Sequence, residues 1–309
     1  MMGTSANADG VEVDDACLRG WPLPQPAAAG DKEERGRVLV IAGSREMPGA
    51  LILAANAALN AGAGKLTVAT AASVARLVAT ALPEARVMEL AETEAGGIDR
   101  SAIERVRELL PRMDAVLIGP GMQDEPAACE FCADLLDHLS MSTLVLDAAA
   151  MGVVRGPAPK IESFAGPTIL TPHAGELAHL TGGDKGPIGD RPASAAISAA
   201  RRWNAVVALK GASTFVAAPD GSLWRHIGGN VGLAISGSGD VLAGLIAGLA
   251  SRGAVAAQAA VWGVALHARA GERLATRFGP LGYLARDLSA EVPALMGGFA
   301  SGGLSSNTF

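Results

Sequence analysis

From Arg37 onward, short β-branched and aliphatic runs alternate with longer alanine-rich stretches whose apolar positions recur every three to four residues. VLVIAG, KLTVAT, ARVMEL, DAVLIGPG, TLVLDA, PTILTP and AVVALKG read as strands. PGALILAANAALNAG, ASVARLVATAL, IERVRELL, the stretch around Phe131 and a segment from about Pro192 to Trp203 read as the helices between them. Strand, helix and strand in series imply right-handed crossovers and a largely parallel sheet covered on both faces, an α/β doubly wound sandwich. After Lys210 the pattern changes to STFVAAP and SLWRHI joined by Asp220-Gly221, which suits a tight hairpin. Helical spacing then returns over Asp240 to Gly253, Val255 to about Arg277 and Leu284 to about Met296. Residues 1–34 mix acidic residues with Pro, Ala and Gly without periodicity and read as a flexible tail or an arm that docks on a neighbour. Residues 298–309 read as a loose end, which leaves 35–297 as one domain.

Composition narrows the function classes. Half of the 309 residues are hydrophobic, which places the chain among globular proteins with a large core. The formal net charge is -6, aromatics make up 4%, and there is no Lys/Arg-rich run, so no nucleic-acid partner is expected. The longest apolar region, Val241 to Leu266, is broken by Arg252 and Gln258, so no membrane span is expected either. With no basic-then-apolar segment at the N-terminus, a cytoplasmic protein is expected. Three cysteines fit a reducing compartment. Cys129 and Cys132 form a C-x-x-C, but on a helix that turns Phe131, Leu135, Leu136 and Leu139 inward, with no second ligand pair nearby. They read as half-buried thiols rather than a redox or zinc site.

Ligands of doubly wound sheets sit beyond the carboxyl ends of the strands, and there the chain places its unusual residues. Gly43 and Ser44 follow the first strand, Gly119-Pro120-Gly121 follow DAVLI, Asp147 ends TLVLD, Thr171-Pro172-His173 follow TIL, and Lys210-Gly211 follow AVVAL. No G-x-G-x-x-G follows the first strand, so an NAD-binding Rossmann domain is not supported. Gly62-Ala63-Gly64-Lys65 fails as a P-loop, because it joins a helix to a strand and Leu66 stands where Ser or Thr would bind magnesium. The richest segment is GGNVGLAISGSGDVLAGLIAGL, Gly228 to Leu249. Its glycines crowd a turn that empties into an apolar helix, and the free amides and dipole of a helix start form an anion site. Asp240 at that start reads either as a helix cap or, being repelled by bound phosphate, as a general base or metal partner.

Together these strand-end motifs resemble the ADP-dependent NAD(P)H-hydrate dehydratases of the ribokinase-like superfamily. The resemblance runs from about Val38 to Met296 through GS…PGALILAANAALNAGAGKLTV, LIGPGM, LVLDA, ILTPHAGEL, VVALKGAST and the Gly228 to Leu249 segment. It implies a ribokinase-like three-layer sandwich and a lyase that removes water from (6S)-hydrated NADH or NADPH, using ADP and Mg2+ and giving AMP and phosphate. It implies Asp240 as catalytic base, and Ala50, Gly121, His173 and Asp240 on the side of the hydrated nicotinamide. Lys210, Gly211, Ala212, Ser213, Thr214 and Gly239 would contact the adenine nucleotide. The amides of Gly237, Ser238 and Gly239, with that of Asp240, would form the anion hole. Glu176 matches a glutamate that arranges magnesium through water. The resemblance also implies a homo-oligomer, a tetramer, to which the apolar stretch Trp21 to Pro26 would contribute, and a separate epimerase protein in the same pathway.

Plainer readings stand beside several of these roles. Ala50 and Gly121 suit helix and turn packing, His173 suits a bond to a loop carbonyl, and Glu176 suits the dipole at a helix start. Lys210 ends an apolar strand, which favours a phosphate-side role over a surface lysine, and Asp147 faces the site or caps the next turn. Two positions depart from the family: Ala149 stands where a second acid is usual after Asp147, and Gln123 where glycine often follows GPGM. They bear on substrate affinity and on the preference for ADP over ATP. A small-molecule kinase of the same superfamily, acting on an alcohol, and a catalytically silent nucleotide-binding module are the rival readings.

Overall fold

The computed structural model describes residues 10–26, 31, 33–156 and 159–300. A two-residue strand, β1 (Val11–Glu12), and a short helix, α1 (Asp15–Gly20), come first. Strands β2 (Arg37–Ile41), β3 (Lys65–Ala71) and β4 (Arg86–Leu90) alternate with helices α2 (Pro48–Asn60) and α3 (Ala72–Ala81). The chain continues through α4 (Ile103–Val106), β5 (Ala115–Ile118), α5 (Glu125–Leu136), β6 (Thr143–Leu146) and β7 (Thr168–Leu170). Helices α6 (Ala174–Thr181), α7 (Lys185–Asp190) and α8 (Pro192–Arg202) lead to β8 (Val206–Leu209) and the hairpin β9 (Ser213–Ala217) and β10 (Leu223–Ile227). Helices α9 (Ser238–Ser251), α10 (Ala256–Phe278) and α11 (Ala285–Ala300) close it.

Among the described residues, ten strands form one sheet in the order β1-β10-β9-β8-β7-β6-β5-β2-β3-β4. The seven strands from β8 to β4 pair in parallel, and β9 and β10 add the antiparallel hairpin expected around Asp220-Gly221. Period-two alternation sends Val38 and Val40 of β2 to one core and Leu39 and Ile41 to the other. The first core packs α2, α9, α10 and α11 against the sheet; the second packs α5, α6 and α8. This is the doubly wound three-layer sandwich read from the pattern.

Two local readings differ from the structure. IERVRELL holds only the single turn α4, flanked by 3-10 turns at Arg100–Ala102 and Leu110–Arg112, the second with Pro111 in its first turn, where the missing N–H costs no helical bond. Helix α7 was not foreseen: it contains Gly186, Pro187 and Gly189 and buries no residue, so it carries no apolar periodicity to read.

Helices α2 and α9 run side by side at close range. A Cβ on Gly244 would lie 2.1 Å from the Ala54 carbonyl oxygen, and one on Gly248 would lie 2.4 Å from that of Ala58. Both pairs advance by four residues in the same direction, so the helices are parallel and start at the same edge of the sheet. Carried one turn toward the amino ends, this register sets Ala50 opposite Asp240.

The segment read as a tail or docking arm docks, over residues 10–26, on its own chain. Val11 and Glu12 pair in parallel with Trp224 and Arg225, extending the sheet by one strand. Trp21 stacks on Trp224 with ring centroids 5.5 Å apart. Main-chain carbonyls of the arm are taken up by side chains of the core: Gln258 donates to Trp21 and Pro22, Trp262 to Trp21, and Arg252 to Pro24. The polar breaks at Arg252 and Gln258 thus hold the arm. Trp21→Ala is expected to cost about 1–2 kcal/mol of stability through the lost stack and its area, as read by urea unfolding. Residues 1–9, 27–30 and 32 of the expected arm lie outside the described residues. At the other end, α11 continues through 298–300, and 301–309 lie outside the described residues.

Candidate active site

The glycine-rich turn delivers the start of α9 to the carboxyl edge of the sheet. Gly237 caps the helix in the left-handed region, φ 88°, which a side chain would strain. The Ser238 amide reaches the Ile235 carbonyl at 3.3 Å, whereas the amides of Gly239 and Asp240 have no protein acceptor among the described residues. Those amides and the dipole of the 14-residue α9 leave a positive end facing the site. No side chain caps α9, so the reading of Asp240 as a helix cap finds no bond to support it.

Asp240 is held up to about 7, first by burial and then by the neighbouring Asp147 carboxylate, with Lys210 pulling the other way. Asp147 is almost fully buried at the end of β6 and accepts from the Thr171 hydroxyl at 2.6 Å. Lys210 follows β8, where its amide donates to the Pro172 carbonyl at 2.8 Å and fixes the stem of the side chain. Its ammonium lies 3.5 Å from Asp147 Oδ1 and 3.8 Å from Glu176 Oε2, and it also faces Gly239, whose added Cβ would lie 3.5 Å from Nζ. One cation thus answers two carboxylates directly in front of the α9 end.

His173 is the N-cap of α6. Its Nδ1 accepts from the amides of Gly175 and Glu176, both at 3.0 Å, while Glu176 Oε2 accepts from the His173 amide at 2.7 Å. The ring thus accepts from two amides instead of bonding a loop carbonyl, the plainer reading of His173, while Glu176 stands in the first turn of α6 as its plainer reading has it. In the neutral ring the proton therefore sits on Nε2, on a side chain 58% exposed at the site. Ala50 and Gly121 meet where α2 starts: a Cβ on Gly121 would lie 2.5 Å from that of Ala50 and 2.8 Å from the Met47 carbonyl oxygen. Gln123, the departure after GPGM, accepts from the Ser44 hydroxyl and donates to Glu46, closing the mouth beside them.

A cavity of about 820 Å³ opens beside the α9 end, and His173, Lys210, Gly211, Ala212, Thr214 and Gly239 line part of it. Ser213, the remaining residue of the KGAST run, opens β9 beside these. Ala50 and Gly121 lie outside that cavity, next to Asp240 by the register of α2 and α9. Asp240 itself is not among the residues that line the cavity, but it follows Gly239, which is. Two histidines of the cavity wall, His226 and His267, were not foreseen. His226 Nδ1 donates to the Val13 carbonyl at 3.1 Å, tying the cavity to the N-terminal strand. His267 lies against Ser238, 29 residues away along the chain.

Cys129 and Cys132 lie on α5, where the Cys129 thiol faces the Ala149 carbonyl at 3.8 Å. Burial pushes the Cys129 thiol up to about 11 and raises that of Cys132 as well, as expected of inert thiols. Among the described residues no helix is long and apolar enough to cross a membrane.

Comparison with known proteins gives concordant results. The family model described as NAD(P)H-hydrate dehydratase matches residues 38–294. An ADP-dependent (S)-NAD(P)H-hydrate dehydratase of Xanthomonas campestris pv. campestris is 49% identical over 285 residues, covering 92% of this chain and 95% of that protein. Of the longer bifunctional NAD(P)H-hydrate repair enzymes that it also matches, the chain spans about half the length. The crystal structure of an ADP/ATP-dependent NAD(P)H-hydrate dehydratase from Bacillus subtilis, co-crystallised with ATP/Mg2+, superposes with a TM-score of 0.80 at 30% identity, covering 94% of this chain and 99% of that one. A ribokinase-like superfamily protein from Enterococcus faecalis superposes with a TM-score of 0.77 at 25% identity, covering 94% and 96% of the two chains. The fold is ribokinase-like, and the chain belongs to the NAD(P)H-hydrate dehydratase family.

Proposed function

We propose that this protein catalyses the ADP-dependent dehydration of hydrated NADH and NADPH, restoring the reduced dinucleotide and releasing AMP and phosphate. The observation that carries this reading is Asp240 itself: a half-buried carboxylate held up to about 7 at a free helix start, next in the chain to Gly239, which lines a nucleotide-sized cavity with Lys210, Gly211, Ala212 and Thr214. Water has added across a ring double bond of the substrate, and hydroxide is a poor leaving group. Asp240 takes the hydroxyl proton, and the hydroxyl oxygen accepts the β-phosphoryl group of ADP, so that AMP leaves. The ring nitrogen lone pair then expels phosphate, and loss of a neighbouring ring proton restores the double bond. The sum is hydrated NADH plus ADP giving NADH, AMP, phosphate and a proton.

The amides of Gly239 and Asp240 hold the charge that develops on the moving phosphoryl group, with Gly237 shaping the turn and Ser238 beside it. Lys210 neutralises the nucleotide phosphates, and Gly211, Ala212, Ser213 and Thr214 continue the cavity wall past it. His173 and Ala50 with Gly121 bound the nicotinamide side. Glu176 and Asp147 present hard oxygen donors around the point that Lys210 occupies, which suits Mg2+ shared with waters and phosphates. Among the described residues no cluster of three or more His, Cys, Asp or Glu would hold a metal by itself, which again leaves the phosphates as its main ligands. When bound, the ion supplies charge neutralisation on the transferred group. We further propose a cytoplasmic homo-oligomer that works beside an epimerase activity, since the longer relatives are bifunctional repair enzymes.

Lys210→Met is expected to raise the ADP dissociation constant about 10- to 100-fold, as measured by titration calorimetry, because a charge-assisted contact to phosphate is lost. The function itself is tested by adding ADP and Mg2+ to the protein with hydrated NADH. Return of the near-ultraviolet absorbance of the reduced ring supports it. No return, with phosphorylation of a different alcohol, would make the protein a kinase of the same fold.

A further inference from the structure

The start of α9 carries a donor besides its amides. Ser238 is the first residue of the helix and lines the nucleotide cavity with Gly239 and Lys210, while its own amide is engaged with Ile235. Across from it on α10, His267 places Nε2 3.0 Å from the Ser238 carbonyl oxygen and 3.0 Å from the Ser238 hydroxyl oxygen. A carbonyl oxygen only accepts, so Nε2 carries the proton and donates to it. The hydroxyl oxygen, at the same distance from the same N–H, is its second acceptor. Burial pushes the His267 ring down to about 4, so it stays neutral and keeps this single proton arrangement at physiological pH. With a lone pair of Ser238 Oγ facing His267, the hydroxyl hydrogen is left for another acceptor, and none among the described residues bonds it.

The geometry points to the Ser238 hydroxyl as a side-chain donor of the anion hole, aimed by His267 at an oxygen of the phosphoryl group in transfer. His267 acts only through Ser238 and is a positioning residue. The hydroxyl replaces the helix-start amide that Ser238 commits to Ile235, so the hole keeps its number of donors. This rests on the phosphoryl-transfer reading above, and the experiment separates the two.

Ser238→Ala, which keeps the backbone amide, is expected to lower kcat about 10- to 100-fold while the KM for ADP moves less than about threefold, because the donor acts on developing charge. His267→Phe removes the aiming N–H and is expected to show the same split, and the double variant to be no slower than the slower single one. His267→Gln, which restores an N–H donor, should recover most of the rate. Ser238→Ala at the parent rate, or losses that multiply in the double variant, would overturn the inference. If His267→Phe does not fold, Ser238→Ala and His267→Gln decide alone. A parent protein without dehydratase turnover would instead refute the functional reading, whatever the variants do.

Discussion

Asp240→Asn is expected to reduce dehydratase turnover by about a thousandfold or more while ADP still binds within about threefold of the parent affinity. The substitution keeps shape and burial and removes only the ability to take a proton. Because Asp240 is held up to about 7, kcat/KM of the parent should rise with pH through a limb near that value as the carboxyl ionises, and residual activity of the variant should lack the limb. A linked effect on stability has a definite sign. An acid whose folded pKa is raised above its unfolded value of 3.8 is better accommodated protonated, so the native state binds the extra proton between about pH 4 and 7 and stability falls as pH rises through that window. Asp240→Asn should therefore unfold at higher temperature than the parent at pH 8, by a free energy on the order of a few kcal/mol, and the gain should vanish below about pH 4. A variant that loses turnover and gains stability is the mark of a carboxylate kept for chemistry rather than for the fold. Calorimetric melting at the two pH values, with ADP titration, checks both halves.

Gly244→Val is expected to cost about 3 kcal/mol of stability, because the new side chain meets the Ala54 carbonyl of a neighbouring helix with no flexible group to move aside. The α2 and α9 helices must separate or slide, and either shift moves Ala50 relative to Asp240. Folded Gly244→Val at low temperature should thus retain ADP binding, which depends on the strand-end residues near Lys210, and lose affinity for the hydrated dinucleotide. Ala247→Val, at another buried position of α9, serves as a comparison for overpacking alone. Equal loss of ADP and dinucleotide affinity in Gly244→Val would show that the helix register does not set the substrate side.

The layers, the parallel strands and the hairpin were legible because apolar periodicity changes wherever strand gives way to helix, and Asp220-Gly221 announces a tight turn. Lys210 and Asp147 were legible because each ends an apolar strand at the same sheet edge, and Asp240 because it opens an apolar helix after a glycine-rich turn. What stayed hidden depends on contacts that leave no local pattern. The strand Val11–Glu12 pairs through its main chain, and the arm behind it is held by its carbonyls, by the Trp21–Trp224 stack and by Leu18 and Leu23 in the core, contacts between distant segments that leave no local periodicity. His267 sits inside a helix with ordinary apolar neighbours, and its link to Ser238 exists only once α10 packs on α9. His173 and Glu176 were visible as a pair three residues apart; that the ring nitrogen itself takes the two amides emerged only from the backbone path.

One covalent step is central to the proposed reaction: the substrate hydroxyl is phosphorylated before it leaves. Hydrated NADH carrying heavy oxygen in that hydroxyl, incubated with the protein, ADP and Mg2+, tests it by mass spectrometry of the released phosphate. Phosphate that carries the label, formed one for one with AMP and restored NADH, is the predicted result; label released into water with unlabelled phosphate would contradict it.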